Sequence, residues 1–101
     1  MRITKKVRVG PFNYTVIRED INNHRVDADE FLYGYTDHRK RLIALDTSLS
    51  KSELEETFIH ELGECIKYVY MQEFDLPHAL LTQNAIGWHQ VLKDNGFLKE
   101  K

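Results

Sequence analysis

One segment dictates the architecture of this chain: Ser50 to about residue 72 reads as a single long helix. Its start is marked by Ser50-Lys51-Ser52-Glu53, a capping box in which serine and glutamate each satisfy the other's free backbone N–H. A start at Ser48 is the alternative. From there Ile59, Leu62, Ile66 and Val69 recur at helical spacing, with Phe58 and Cys65 beside them, so one stripe must be buried. Phe74-Asp75-Leu76-Pro77 ends the run, because proline cannot continue a helix without losing a hydrogen bond. Pro77 suits the first turn of a second helix, placed at 76–95. Leu81, Ala85, Trp88 and Leu92 form its apolar stripe, and Asn95-Gly96 is a stop signal.

Two amphipathic helices need an apolar layer to cover, and residues 1–46 supply it. Over residues 3–9, Ile3, Val7 and Val9 alternate with Thr4, Lys6 and Arg8, the pattern of a half-buried strand. Gly10-Pro11 turns the chain into a second strand over residues 12–18, rich in aromatic and β-branched types. Residues 19–30 are polar and form a loop with room for a helical turn. Residues 31–36 and 41–46 then flank the turn Asp37-His38-Arg39-Lys40 as a second hairpin. The expected fold is α+β: a small antiparallel or mixed sheet from two hairpins, followed by two packed helices, in one domain spanning 1–101.

The first helix carries the chemistry. His60 and Glu64 are four residues apart, so they point the same way about 6 Å apart along the axis and can reach one ion. Glu61 is turned about 100° from His60 and borders the same site. H-E-x-x-H is a zinc signature; here Glu64 stands in the second histidine position, and zinc accepts carboxylate oxygen as well as imidazole nitrogen. The alternative is an ordinary charged helix face. A third ligand could come from His78, 14 residues after Glu64, where a helix N-terminus favours the neutral imidazole that a metal requires. The alternative for His78 is a solvent-facing first-turn residue. Gly63 inside this helix suggests a close neighbour, or simple tolerance. His24, His38 and His89 read as solvated or structural, Cys65 as a small buried residue, and Tyr68 and Tyr70 as helix packing.

Composition closes off other classes. Net charge is -2, with 42% hydrophobic and 30% charged residues, so no whole-protein basic field exists. The clusters Lys5, Lys6, Arg8 and Arg39, Lys40, Arg41 read as solvated strand ends and turns, and nucleic acid is not an expected partner. No apolar run approaches the roughly 20 residues of a membrane span, and the N-terminus lacks the apolar stretch of a secretory signal. A single cysteine precludes an intramolecular disulfide. A cytoplasmic protein is expected.

The run ETFIHELGECIKY followed by LPHALLTQNAIGWHQVLKDNG resembles small phage and mobile-element proteins, in which an H-E-x-x-E or H-E-x-x-H helix precedes a histidine and a helix ending QVL-x-DN. These are similar to the ImmA/IrrE-like and SprT-like zinc peptidases, the minimal zincin plan. The resemblance covers roughly residues 31–96. It implies one zinc ion held by His60, Glu64 and His78, with Glu61 as general base, and a peptide or protein substrate lying extended along a strand of the second hairpin. It also implies a phage- or mobile-element-encoded protein in a bacterial host. Glu64 departs from the usual second histidine, and the chain is short, with no obvious specificity domain. An inactive binding module of the same shape, docking a host or phage protein, is the other expectation.

Overall fold

The computed structural model describes residues 2–24, 30–71 and 77–97; the side chains of His24 and of residues 77–82 lie outside that description. The elements run β1 (Lys6–Val9), β2 (Phe12–Glu19), a 3-10 turn (Asn22–His24), β3 (Gly34–Asp37), β4 (Leu42–Asp46), α1 (Lys51–Tyr70) and α2 (Pro77–Asp94). The fold is α+β, a four-stranded mixed sheet followed by two helices. Both hairpins form, with Val7 opposite Tyr14 and Thr36 opposite Ile43, but the first strand of the second runs Gly34–Asp37, so residues 31–33 precede it and Asp37 belongs to the strand rather than the turn. The hairpins then join through a parallel pairing of β2 and β4, with Val16 beside Ile43, giving the order β1-β2-β4-β3. β4 is therefore flanked on both sides, and β1 and β3 are the edges.

Strand periodicity decides which residues meet the helices. Val7, Val9, Tyr14, Ile43 and Leu45 share one face and are fully buried against Phe58, Leu62, Cys65, Ile66 and Val91 of the helices. The expected cap of α1 is present: Glu53 N–H donates to Ser50 Oγ at 3.2 Å and Ser50 N–H to Glu53 Oε1 at 2.9 Å. The expected break at Phe74-Asp75-Leu76 falls outside the described residues.

The buried stripe of α1 is rotated from the expected one. Phe58, Glu61, Leu62, Cys65 and Ile66 face inward, and Ile59 is 45% exposed. The larger Phe58 ring takes the core position, and Glu61 can share that face because the sheet offers it a hydrogen bond. In α2, Val91 is fully buried, Trp88 and Leu92 are partly buried, and Ala85 is exposed; Leu81 lies outside the described side chains. Gly63 has no close neighbour, since an added Cβ would meet only Trp88 Cζ2 at 3.8 Å.

The two sheet edges are treated differently. Along β1, Gln90 accepts from Gly10 N–H at 2.7 Å and donates to Arg8 C=O at 2.9 Å. Asn95 accepts from Arg8 N–H at 2.9 Å and donates back to Arg8 C=O at 3.1 Å. Side chains of α2 and its C-terminal turn thus occupy backbone groups that an incoming strand would need. Beyond β3 no strand pairs among the described residues. Among them, too, no helix is long and apolar enough to cross a membrane.

Candidate functional site

α1 and β3 run side by side in the same direction. Gly34 lies against Thr57, where an added Cβ would sit 2.9 Å from Thr57 Cγ2. Two residues on, Thr36 Oγ1 donates to Glu61 Oε1 at 2.8 Å. Two further, the His38 ring stacks on Tyr68, with centroids 4.0 Å apart and planes 5° from parallel. Positions 34 and 36 meet the helix because alternate residues of β3 share one face, and His38 follows in the turn that ends the strand.

His60 and Glu64 are exposed on α1, one turn apart, and Tyr68 continues the stripe a turn later. Glu61 is only 7% exposed, turned toward the sheet. Its burial is tolerable because Thr36 satisfies Oε1. Oε2 is then the oxygen left to handle a proton.

Of the solvated and structural roles expected for His38, the structure shows the structural one. Besides stacking on Tyr68, its Nδ1 lies 3.0 Å from the hydroxyl of fully buried Tyr14. Burial chiefly, and then the neighbouring Arg41 guanidinium, lowers its pKa, while the Glu64, Asp37 and Glu61 carboxylates pull the other way. Burial pushes the Tyr14 hydroxyl up to about 12 and the Cys65 thiol up to about 12, so both are neutral near pH 7. The Thr36 and Tyr14 hydroxyls interact with that thiol. A polar seam therefore runs beneath the helix from His38 to Glu61. The sequence signal for its Thr36 end was the parity of positions 34 and 36 within β3; His38 lies in the turn beyond the strand and carried none.

A cleft of about 540 Å³ opens between the chain leading into β3 and the first turns of α1. Phe31, Leu32 and Tyr33 form one wall, and the Phe31 and Tyr33 rings meet edge to face at 4.9 Å. Glu53, Glu56 and Thr57 form the other, with His60 and Glu61 at its end. Asn22 fixes the first wall by accepting from Leu32 N–H at 2.8 Å and donating to Leu32 C=O at 3.0 Å. Asn22 in turn donates to Asp46 at 3.2 Å. Asp46 is 2% exposed and also accepts from Ile21 N–H at 2.9 Å, Ser48 N–H at 3.0 Å and the Ser48 hydroxyl. The Ser48 hydroxyl, against the pull of burial, leads in holding the Asp46 carboxyl below its usual range.

Of the expected site residues, His60, Glu61 and Glu64 sit together on α1. His78 is the second residue of α2, and its side chain lies outside the described residues. Among the described residues no three histidine, cysteine, aspartate or glutamate side chains converge as a metal site. His89 is exposed.

Comparison with protein-family models, with curated proteins and with solved structures yields no match.

Proposed function

We propose that this chain is a zincin-like metallopeptidase that hydrolyses peptide bonds. The observation that carries the reading is the pairing of exposed His60 and Glu64 with a buried, hydrogen-bonded Glu61 at the end of a cleft beside an open sheet edge. One imidazole and one carboxylate suit zinc, and His78 is the third donor in this reading. Zinc, when bound by these three, supplies Lewis acidity toward a carbonyl and a water. Glu61 takes the proton of the attacking water on Oε2 and returns it to the leaving amine. Thr36 holds Oε1 and so fixes the orientation of that base. The substrate backbone pairs with β3, because β4 already has neighbours on both sides. The resemblance to phage and mobile-element proteins supports a location in a bacterial cytoplasm.

Zinc per chain, measured after reconstitution and desalting, tests the site. One zinc is expected for wild type and none for His60→Ala, Glu64→Ala or His78→Ala. Zinc that survives His78→Ala means another third ligand; a folded wild type without zinc sinks the reading. Glu61→Gln should keep zinc and fold and lose turnover. A binding module without turnover is the second reading, favoured by the exposed Phe31 and Tyr33 rings; in that case Glu61→Gln leaves function intact.

A further inference from the structure

We infer that the cleft beside Glu61 selects extended peptide segments that present a bulky apolar side chain together with a lysine or arginine. The inference rests on the peptide reading above and adds the kind of peptide.

Phe31, Leu32 and Tyr33 are three consecutive large apolar residues with exposures of 47%, 36% and 47%. Contiguous exposed apolar surface of this kind marks a place where something binds. The wall is fixed in place, since Asn22 holds the Leu32 backbone at both its N–H and its C=O. A volume of about 540 Å³ falls in the range of sites that enclose a ligand, and it accommodates one large side chain.

The opposite wall supplies the charge. Among the described residues, Glu53, Glu56 and Glu61 line the cleft, and no lysine or arginine does. Eleven of the chain's 14 lysine and arginine residues are among the described residues, and none of the eleven enters this lining, which is a segregation of charge. Opposed potentials of this sort steer and select partners.

The spacing predicts where the cation belongs. Glu56 and Glu53 precede His60 by four and seven residues of helix, about 6 and 10 Å along the axis. An extended peptide advances about 3.3 Å per residue. A basic side chain two or three residues from the bond at Glu61 therefore reaches Glu56 or Glu53. Because β3 and α1 run in the same direction, the apolar wall flanks that same interval.

The test is digestion of a mixed decapeptide library by the zinc-loaded protein, with new termini read by mass spectrometry. Cleavage should be enriched in peptides with lysine or arginine two or three residues to one side and a bulky apolar residue between. The double variant Glu53→Gln, Glu56→Gln should weaken the basic preference roughly three- to tenfold, as expected for two exposed charge pairs. Glutamine at 53 preserves the capping box, so the helix start is retained. Phe31→Ala with Tyr33→Ala should flatten the apolar preference. In parallel, Glu61→Gln protein is titrated by anisotropy with a fluorescein-labelled peptide of lysine, leucine and phenylalanine, and with a control carrying glutamate for lysine. Cleavage without either preference overturns the inference and leaves the peptidase reading standing. Preferential binding of the lysine peptide without any cleavage by wild type supports the inference and overturns catalysis. Neither cleavage nor binding overturns both.

Discussion

Gly63 and Gly87 both lie inside helices, and alanine at each should move stability in opposite directions. Alanine is favoured over glycine in a helix by about 1 kcal/mol, and that gain is common to both sites. The surroundings differ. At Gly63 the new methyl meets Trp88 Cζ2 at 3.8 Å, an ordinary contact. At Gly87 it falls 2.6 Å from Ile66 Cγ2 and 3.0 Å from Tyr70 Cδ2. Ile66 is fully buried and β-branched, so it cannot swing away. Overpacking of this kind costs about 1–3 kcal/mol. Gly63→Ala should therefore gain about 0.5–1 kcal/mol, and Gly87→Ala should be neutral to about 2 kcal/mol less stable. The propensity gain cancels in the difference between the variants, leaving the overpacking cost of about 1–3 kcal/mol. Urea unfolding followed by far-UV circular dichroism measures it. In a thermal scan each kcal/mol is worth roughly 4–8 °C for a domain of this size. Equal stabilisation by both substitutions would refute the close approach of α1 and α2 at Gly87.

Asp46→Asn should cost roughly 2–3 kcal/mol, because a buried carboxylate serving several donors becomes an amide that presents N–H to one of them. The folded-state pKa of Asp46 lies below its ordinary 3.8, so its contribution is present above that value and is lost as pH falls through the depressed one. The gap between wild type and Asp46→Asn in urea should accordingly narrow under acid. Tyr14 and Cys65 act at the other end. Their pKa values rise from 10.0 and 9.0 to about 12, so the neutral forms stabilise the fold below the ordinary values. That stability should drain away as pH climbs from 9 toward 12, and Cys65 should resist iodoacetamide until urea unfolds the chain. Gln90→Ala should cost about 1 kcal/mol in the same unfolding assay, by removing the partner of Gly10 N–H and one of the two donors to Arg8 C=O.

Much of the fold was legible because its signals are local. Alternation at Val7 and Val9, the Ser50–Glu53 box and Pro77 each declare an element from a few neighbouring residues. Alternation tells which face a residue takes and says nothing of which strand lies beside it. The parallel union of β2 with β4, and hence the open edge at β3, could not be read that way. The face of α1 was misjudged at Ile59 because Glu61 looks like a surface residue until Thr36 is seen to satisfy it. Which of its two expected roles His38 takes was not legible either, since Tyr68, which covers it, is 30 positions away. The clasp of Gln90 and Asn95 on β1 had no signal either, since both are ordinary polar residues near a helix end. His60, Glu61 and Glu64 were legible together because helical geometry alone brings them to one region.

The clasp on β1 also bears on how copies of this chain can associate. Strand-mediated polymers grow because every subunit offers two free margins, one for each neighbour. Here one margin is already occupied by the subunit's own α2, and among the described strands β3 is the margin left to accept a second copy. Pairing through β3 stops at two chains, so filaments are excluded by that route. Such a dimer would place β3 against β3 and bury the two open edges against each other. If β3 is the substrate edge proposed above, the protein at high concentration competes reversibly with its own substrate.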